Sequence, residues 1–269
     1  MMRQICLATA QPYRENSSES KVTYENNLQQ ALRLIENAPD DVDLIVFPET
    51  FSCASVTDEK RLPFERHCQE TERFLDVLGK AAIKKDCNLA LGLPYENKNC
   101  TFYLNRKGDV VGRYDKCHLT ASEREHNITE GMSIEPVELD IGKIGCLTCY
   151  DLYYPEQARI YALKGVDILI HPTRINKAPT EQGFEALCIA RAVENVCFFI
   201  SSSYSGNRPF TYNSWMARSF IIDPDGMIRA EVGREPGLTV ARVDMDMRKN
   251  RLDGFKWEEF KKLRRPDLY

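Results

Sequence analysis

Three reactive side chains of different type follow short apolar runs in this sequence. Glu49 follows Leu44-Ile45-Val46-Phe47-Pro48, Lys116 follows the run 110–114 and Asp115, and Cys149 closes the run that begins at Lys143. Short apolar runs bounded by turn residues read as strands. Side chains at the C-terminal ends of strands in an open α/β sheet face the crevice where ligands bind. These three types suffice for acyl transfer without histidine. A carboxylate takes the thiol proton. The thiolate attacks a carbonyl or nitrile carbon and carries the acyl group. An ammonium stabilises both the thiolate and a developing oxyanion. Taken singly, each has an ordinary reading: a solvated or capping carboxylate, a surface lysine, a buried inert thiol. Their shared placement at strand ends singles them out. Cys149 also precedes a helix that Pro155 suits as a first-turn residue. A nearby helix N-terminus biases a thiol toward thiolate.

The elements that must position these groups alternate along the whole chain. Residues 5–8 read as a buried edge of a sheet. Tyr24, Leu28, Ala31, Leu32 and Ile35 recur at helical spacing and predict a helix over about 21–37. Residues 44–47 form a continuous apolar run, as in a strand buried on both faces. A second helix is predicted over 70–86. Strands follow at 89–93, 101–104 and 110–114, the last two joined by Arg106-Lys107-Gly108-Asp109 as a hairpin. The stretch 120–133 is polar without a clear period. Residues 137–139 and 143–148 form a strand pair across Ile141-Gly142. Then come a helix at 155–164, a strand at 167–170, a helix at 181–194 and a strand at 196–201. A polar and aromatic loop covers 203–215, and strands at 220–222, 227–232 and 238–243 precede a mixed tail. Crossovers and hairpins together imply mixed sheets. With no repeat and no linker, 1–269 reads as one α/β domain.

Composition narrows the function classes. The 269 residues carry a formal charge of −4, which argues against a general nucleic-acid or acidic-membrane binder. No apolar run approaches a bilayer span, and the N-terminus lacks the pattern of a signal peptide. Most of the ten cysteines sit in apolar runs, where reduced thiols pack as small hydrophobes. A cytoplasmic protein is the expectation.

Phe47-Pro48-Glu49, Tyr114-Asp115-Lys116-Cys117-His118-Leu119 and the stretch from Gly145 to Glu156 resemble, in order and spacing, the three motifs of the nitrilase (carbon–nitrogen hydrolase) superfamily. Residues 191–195 and 219–226 are similar to its later helix and strand-turn signatures. The resemblance implies an αββα sandwich, a Glu49–Lys116–Cys149 triad, no cofactor, no metal, and pairing into a homodimer or higher homo-oligomer. It also implies a second glutamate between the lysine and cysteine motifs. Glu123 and Glu125 are both candidates, and Glu123 is preferred for its Ser-Glu-Arg context. The expected activity is hydrolysis of a small amide or N-carbamoyl compound through a thioester. A nitrilase using the same triad is one alternative; a catalytically silent scaffold of the same fold is another.

Substrate residues are expected on the same rim. Arg174 follows the strand 167–170 and His171-Pro172, and can grip a carboxylate. Asn176 lies just beyond it. Tyr150, Tyr153, Tyr204 and Trp215 are candidate aromatic walls. The spacing of Cys146 and Cys149 also fits a redox or zinc pair. Without a second such pair or clustered histidines, Cys146 reads as a core thiol. Asp151 and Glu156 are expected to anchor the turn, with Arg159 or Arg191 as possible ion-pair partners.

Overall fold

A computed structural model describes residues 4–13, 20–53, 64–175, 180–205, 218–248 and 256–268. In chain order they form β1 (Gln4–Gln11), α1 (Ser20–Glu36), β2 (Leu44–Val46), α2 (Phe64–Lys85), β3 (Asn88–Tyr95), β4 (Lys98–Leu104) and β5 (Val110–Asp115). There follow α3 (Ala121–Glu125), β6 (Val137–Leu139), β7 (Gly142–Cys146), α4 (Pro155–Leu163), β8 (Ile168–Pro172), α5 (Glu181–Asn195) and β9 (Phe198–Ser202). β10 (Phe220–Ile222), β11 (Ile228–Glu231), β12 (Gly237–Asp244) and α6 (Trp257–Leu263) complete the described residues.

The strands form two six-stranded sheets, β12-β1-β2-β3-β4-β5 and β11-β10-β9-β8-β7-β6. Each is mixed. β1, β2 and β3 are parallel, with β12 and β4 antiparallel beside them. β7, β8 and β9 are parallel, flanked by antiparallel β6 and β10. The expectation of mixed sheets in an αββα sandwich is met.

Alternation along the strands creates the layers. Ile5 and Leu7 of β1 face the second sheet, where Ile144, Cys146, Ile168, Ile170, Phe198 and Ile200 meet them. Cys6, Ala8 and Ala10 face the other way, onto Tyr24, Leu28, Ala31 and Ile35 of α1 and Phe74, Leu78 and Ala82 of α2. Ala158 and Tyr161 of α4 and Phe184, Cys188 and Ala192 of α5 cover the outer face of the second sheet. Burying each face against an apolar partner is the main stabilising term, at about 25 cal/mol per Å² of apolar surface.

Two expectations change. β1 is an interior strand rather than an edge, because β12 returns along its free side with all eight residues in register. The last predicted strand before Cys149 stops at Cys146, and residues 149–153 form a 3₁₀ turn instead.

Candidate active site

Glu49 lies on a short segment beyond β2 that stays pinned to β3. The N–H groups of Phe47 and Phe51 donate to the carbonyls of Ala90 and Gly92 at 2.8 and 2.9 Å. Gly92 is required by this approach: a Cβ there would stand 2.2 Å from the Pro48 carbonyl oxygen and 2.8 Å from the Glu49 Cα. From above, the Tyr204 hydroxyl donates to the Glu49 carbonyl at 2.7 Å. The side chain is buried, 5% exposed.

Lys116 follows β5, which runs parallel to β3 because each is antiparallel to β4. The ends of β2 and β5 therefore open on one edge. The Lys116 N–H donates to Asn99 O at 2.9 Å, and its own carbonyl accepts from Gly131 N–H at 2.8 Å. Its side chain is 1% exposed. The Nζ donates to Glu49 Oε1 at 2.9 Å and to Glu123 Oε1 and Oε2 at 2.9 and 2.8 Å.

Glu123 is presented by α3. Thr120 caps this helix: its hydroxyl accepts the Glu123 N–H at 3.3 Å, while Glu123 Oε2 accepts the Thr120 N–H and hydroxyl at 2.9 and 3.0 Å. This reciprocal box turns Glu123 inward; Glu125 is exposed. Thr120-Ala-Ser-Glu123 is a capping signature visible in the sequence. The helix is too short to show a period, so the stretch reads as irregular.

Cys149 comes from the second sheet, so the site is assembled from both. Its φ is +50°, a left-handed conformation that costs a non-glycine residue about 1–2 kcal/mol. The surroundings hold it there. Leu147 N–H bonds Ile170 O at 2.9 Å, and the His171 Nδ1–H donates to Leu147 O at 2.6 Å. Asp151, fully buried, accepts the Thr148 N–H at 2.8 Å. It also takes the Tyr114 hydroxyl at 2.7 Å and two N–H groups of His118. Asp151 thus ties the cysteine turn to the lysine strand. Neither Arg159 nor Arg191 is paired with it. Arg191 donates to Leu152 O and Glu194, and Arg159 lies over the rings of Trp257 and Phe260. Asp151 is satisfied instead by Thr148, Tyr114 and His118.

Electrostatics reverse the expected state of the thiol. Burial, and then the charge of Glu49, push Cys149 up to about 12; Lys116 and a backbone hydrogen bond from Arg174 pull it back only in part. The helix N-terminus does not prevail, and the resting sulfur is a protonated thiol. Burial pulls Lys116 down, but Glu49, Cys149 and Glu123 outweigh it and its ammonium is held above its ordinary range. Burial pushes Glu123 up, but Lys116 and Asn99 hold its carboxyl below the usual value. The centre is a buried cation flanked by two carboxylates, with a neutral thiol beside them.

Of the other sequence candidates, Tyr150 and Tyr153 are partly exposed, 5.6 Å apart between ring centroids. Burial, and then Cys149, push the Tyr153 phenol up, which places it within electrostatic reach of the sulfur. Arg174 contributes its backbone N–H to Cys149, and its half-buried guanidinium pairs with no acid among the described residues. Asn176 and Trp215 lie outside the described residues. Cys146 is fully buried, its thiol between the hydroxyls of Thr101 and Thr148 at 3.5 and 3.4 Å. None of the ten cysteines forms a disulfide, and no cluster of metal-ligating side chains occurs among the described residues. Sequence reasoning missed Asn99, whose amide touches both glutamates.

Comparison with known proteins identifies the family and the fold. A family model described as carbon–nitrogen hydrolase matches residues 6–251. The chain is 30% identical to the deaminated glutathione amidase of Mus musculus over 290 aligned positions, covering 98% of this chain and 83% of the relative. It is 28% identical to the 2-oxoglutaramate amidase of Bacillus subtilis, covering 81% and 85%. The crystal structure of a carbon–nitrogen hydrolase from Helicobacter pylori G27 superposes with a TM-score of 0.81 at 22% identity, covering 99% of this chain and 97% of that one. A Saccharomyces cerevisiae member of the nitrilase superfamily gives 0.78 at 25% identity, covering 99% and 97%.

Proposed function

The chain belongs to the carbon–nitrogen hydrolase family, and from that footing we propose that it hydrolyses a small amide bearing a carboxylate, through a thioester on Cys149. It is an amidase-type enzyme, like the relatives it matches. The observation that carries the mechanistic reading is the Lys116 ammonium, buried 2.9 Å from Glu49 and 2.8 Å from Glu123, in the field of the Cys149 thiol.

Glu49 removes the thiol proton as the sulfur attacks the substrate carbonyl carbon. The oxyanion that forms is held by Lys116 Nζ and the backbone N–H of Tyr150. The proton on Glu49 passes to the leaving nitrogen, the C–N bond breaks, and ammonia or an amine departs. Glu49 then deprotonates water, which attacks the thioester; the acid leaves and the thiol is restored. Glu123 keeps Lys116 charged and fixed throughout. A thiol near 12 suits this cycle, because the proton moves only when the substrate is in place.

The Arg174 guanidinium, which pairs with no acid among the described residues, supports a carboxylated substrate, as do the amides named in its relatives. Tyr150 and Tyr153 supply apolar walls. The test is ammonia release from 2-oxoglutaramate against a neutral amide of similar size. Cys149→Ala should abolish both reactions. Arg174→Ala should raise KM chiefly for the carboxylated amide, and equal losses on both substrates would refute the anchoring role. A homodimer in the cytoplasm is part of the same reading; light scattering on the purified chain checks the first. No helix among the described residues is long and apolar enough to cross a membrane.

A further inference from the structure

We propose that Asn99 is a positioning residue for the general base, its single amide group fixing both buried carboxylates around Lys116. The inference rests on the reading of Glu49 as the base. Asn99 is 1% exposed, at the start of β4. Its Nδ2 donates to Glu49 Oε1 at 2.6 Å and to Glu123 Oε1 at 3.0 Å. Both acceptors are carboxylates already bonded to an ammonium, so the amide must present its NH₂ and not its oxygen. Through its main chain the same residue accepts the Lys116 N–H at 2.9 Å. One residue thus meets three members of the charged cluster. Asn99 Oδ1, also buried, accepts no hydrogen bond among the described residues. A buried acceptor left so costs about 1–3 kcal/mol. The side chain is kept for its donors.

The geometry has a chemical consequence. Glu49 Oε1 takes two donors, Lys116 and Asn99, while Oε2 takes none among the described residues. Saturating one oxygen aims the lone pairs of the other at the proton to be moved. A neutral amide does this without a second positive charge, which would reduce the basicity that Glu49 needs. An acid at this position would repel both glutamates.

The experiment compares wild type, Asn99→Ala and Asn99→Asp, with Glu49→Gln as the reference for a lost base. Two quantities are read against pH: kcat/KM for ammonia release from 2-oxoglutaramate, and the rate of Cys149 alkylation by iodoacetamide. Removing one donor from Glu49 and one from Glu123 should move the acid limb of kcat/KM upward by roughly one pH unit and lower the plateau about tenfold or more. Asn99→Asp should move the limb further, since it adds like charge. The alkylation profile should shift in the same direction with no substrate present. A thermal midpoint near wild type, together with an unmoved limb and unchanged kcat/KM in both variants, overturns the proposal. Loss of the fold in both variants also overturns it, because Asn99 would then be a bond of the sheet and no more. If Glu49→Gln itself retains full activity, the reading of the base fails instead, and the two failures are distinct.

Discussion

Asp151 accepts both the backbone N–H and the ring Nδ1–H of His118 on one oxygen, at 2.9 and 2.8 Å, while its other oxygen serves Thr148 and Tyr114. A single buried carboxylate therefore sets the separation between the cysteine turn and the lysine strand. Asp151→Ala should orphan four donors and lower stability by about 3–5 kcal/mol, given the penalty for unsatisfied buried groups. Urea unfolding measures this; a loss below about 1 kcal/mol, the worth of one ordinary hydrogen bond, would deny the tie.

Lys116→Met should cost both stability and turnover. It leaves Glu49 and Glu123 buried together without a cation, which destabilises by about 3–5 kcal/mol when one partner of a buried pair is removed. Loss of an oxyanion donor should lower kcat about 10²–10³-fold. Adding Glu123→Gln should recover part of the stability and none of the rate, a split that unfolding and kinetics resolve on the same two proteins.

The Cys149 thiol stands near 12, and the Glu49 charge is the second cause of that rise after burial. Glu49→Gln removes the charge and keeps the shape, so the thiol should ionise at lower pH than in wild type. Thiolate absorbance, taken as the difference from Cys149→Ala, reports it. Turnover should still vanish, because the proton acceptor has gone. A thiol that titrates higher in Glu49→Gln would contradict the electrostatic account.

His171 is buried against Phe184 and Phe199, and burial lowers its pKa from 6.5 to about 4. Its folded value lies below its unfolded one, so between those values the unfolded chain binds the extra proton. Stability should be full above 6.5 and fall as pH drops toward 4, by roughly 3 kcal/mol from this group alone. Denaturation midpoints across that window, compared with His171→Gln, isolate the contribution; parallel curves for the two proteins would assign the acid sensitivity elsewhere.

Gly92→Ala should displace Glu49. The new Cβ would sit 2.2 Å from the Pro48 carbonyl oxygen, which is backbone and cannot swing aside. A fall in kcat larger than any rise in KM is expected, since the base moves while the substrate rim is untouched. Gly233→Ala, where a Cβ meets nothing within 4 Å and the backbone is not left-handed, serves as a control for the general effect of a Gly→Ala change.

The sequence was legible where chemistry and period coincide. Apolar runs leading to Glu49 and Lys116 mark strand ends that open on one edge of the first sheet, while the run leading to Cys149 ends at Cys146 in the second sheet. Long amphipathic helices such as α1 and α5 announce themselves by spacing, with bounds off by one or two residues. α3 did not, because five residues hold too few turns for a period, although its cap was written in Thr120 and Glu123. Asn99 was illegible for another reason. Its partners lie 50 and 24 residues away, and asparagine near a strand start reads as a turn residue. The Arg174 N–H on Cys149 could not be read at all, since every residue type but proline supplies that donor. The thiol was misjudged because a local rule about helix ends ignored burial, and after it a carboxylate, both of which only the tertiary fold supplies.

Glu49, Asn99 and Lys116 hang from one sheet and Cys149 from the other, with Tyr114, Cys146 and Ile170 packed between the sheets. Neither sheet alone holds a reactive centre. Hydrolysis therefore reports the docking of the two sheets, whatever the order in which each of them forms. After dilution from denaturant, turnover returns with the burial of that middle layer and never before it, however early either sheet regains its own hydrogen bonds.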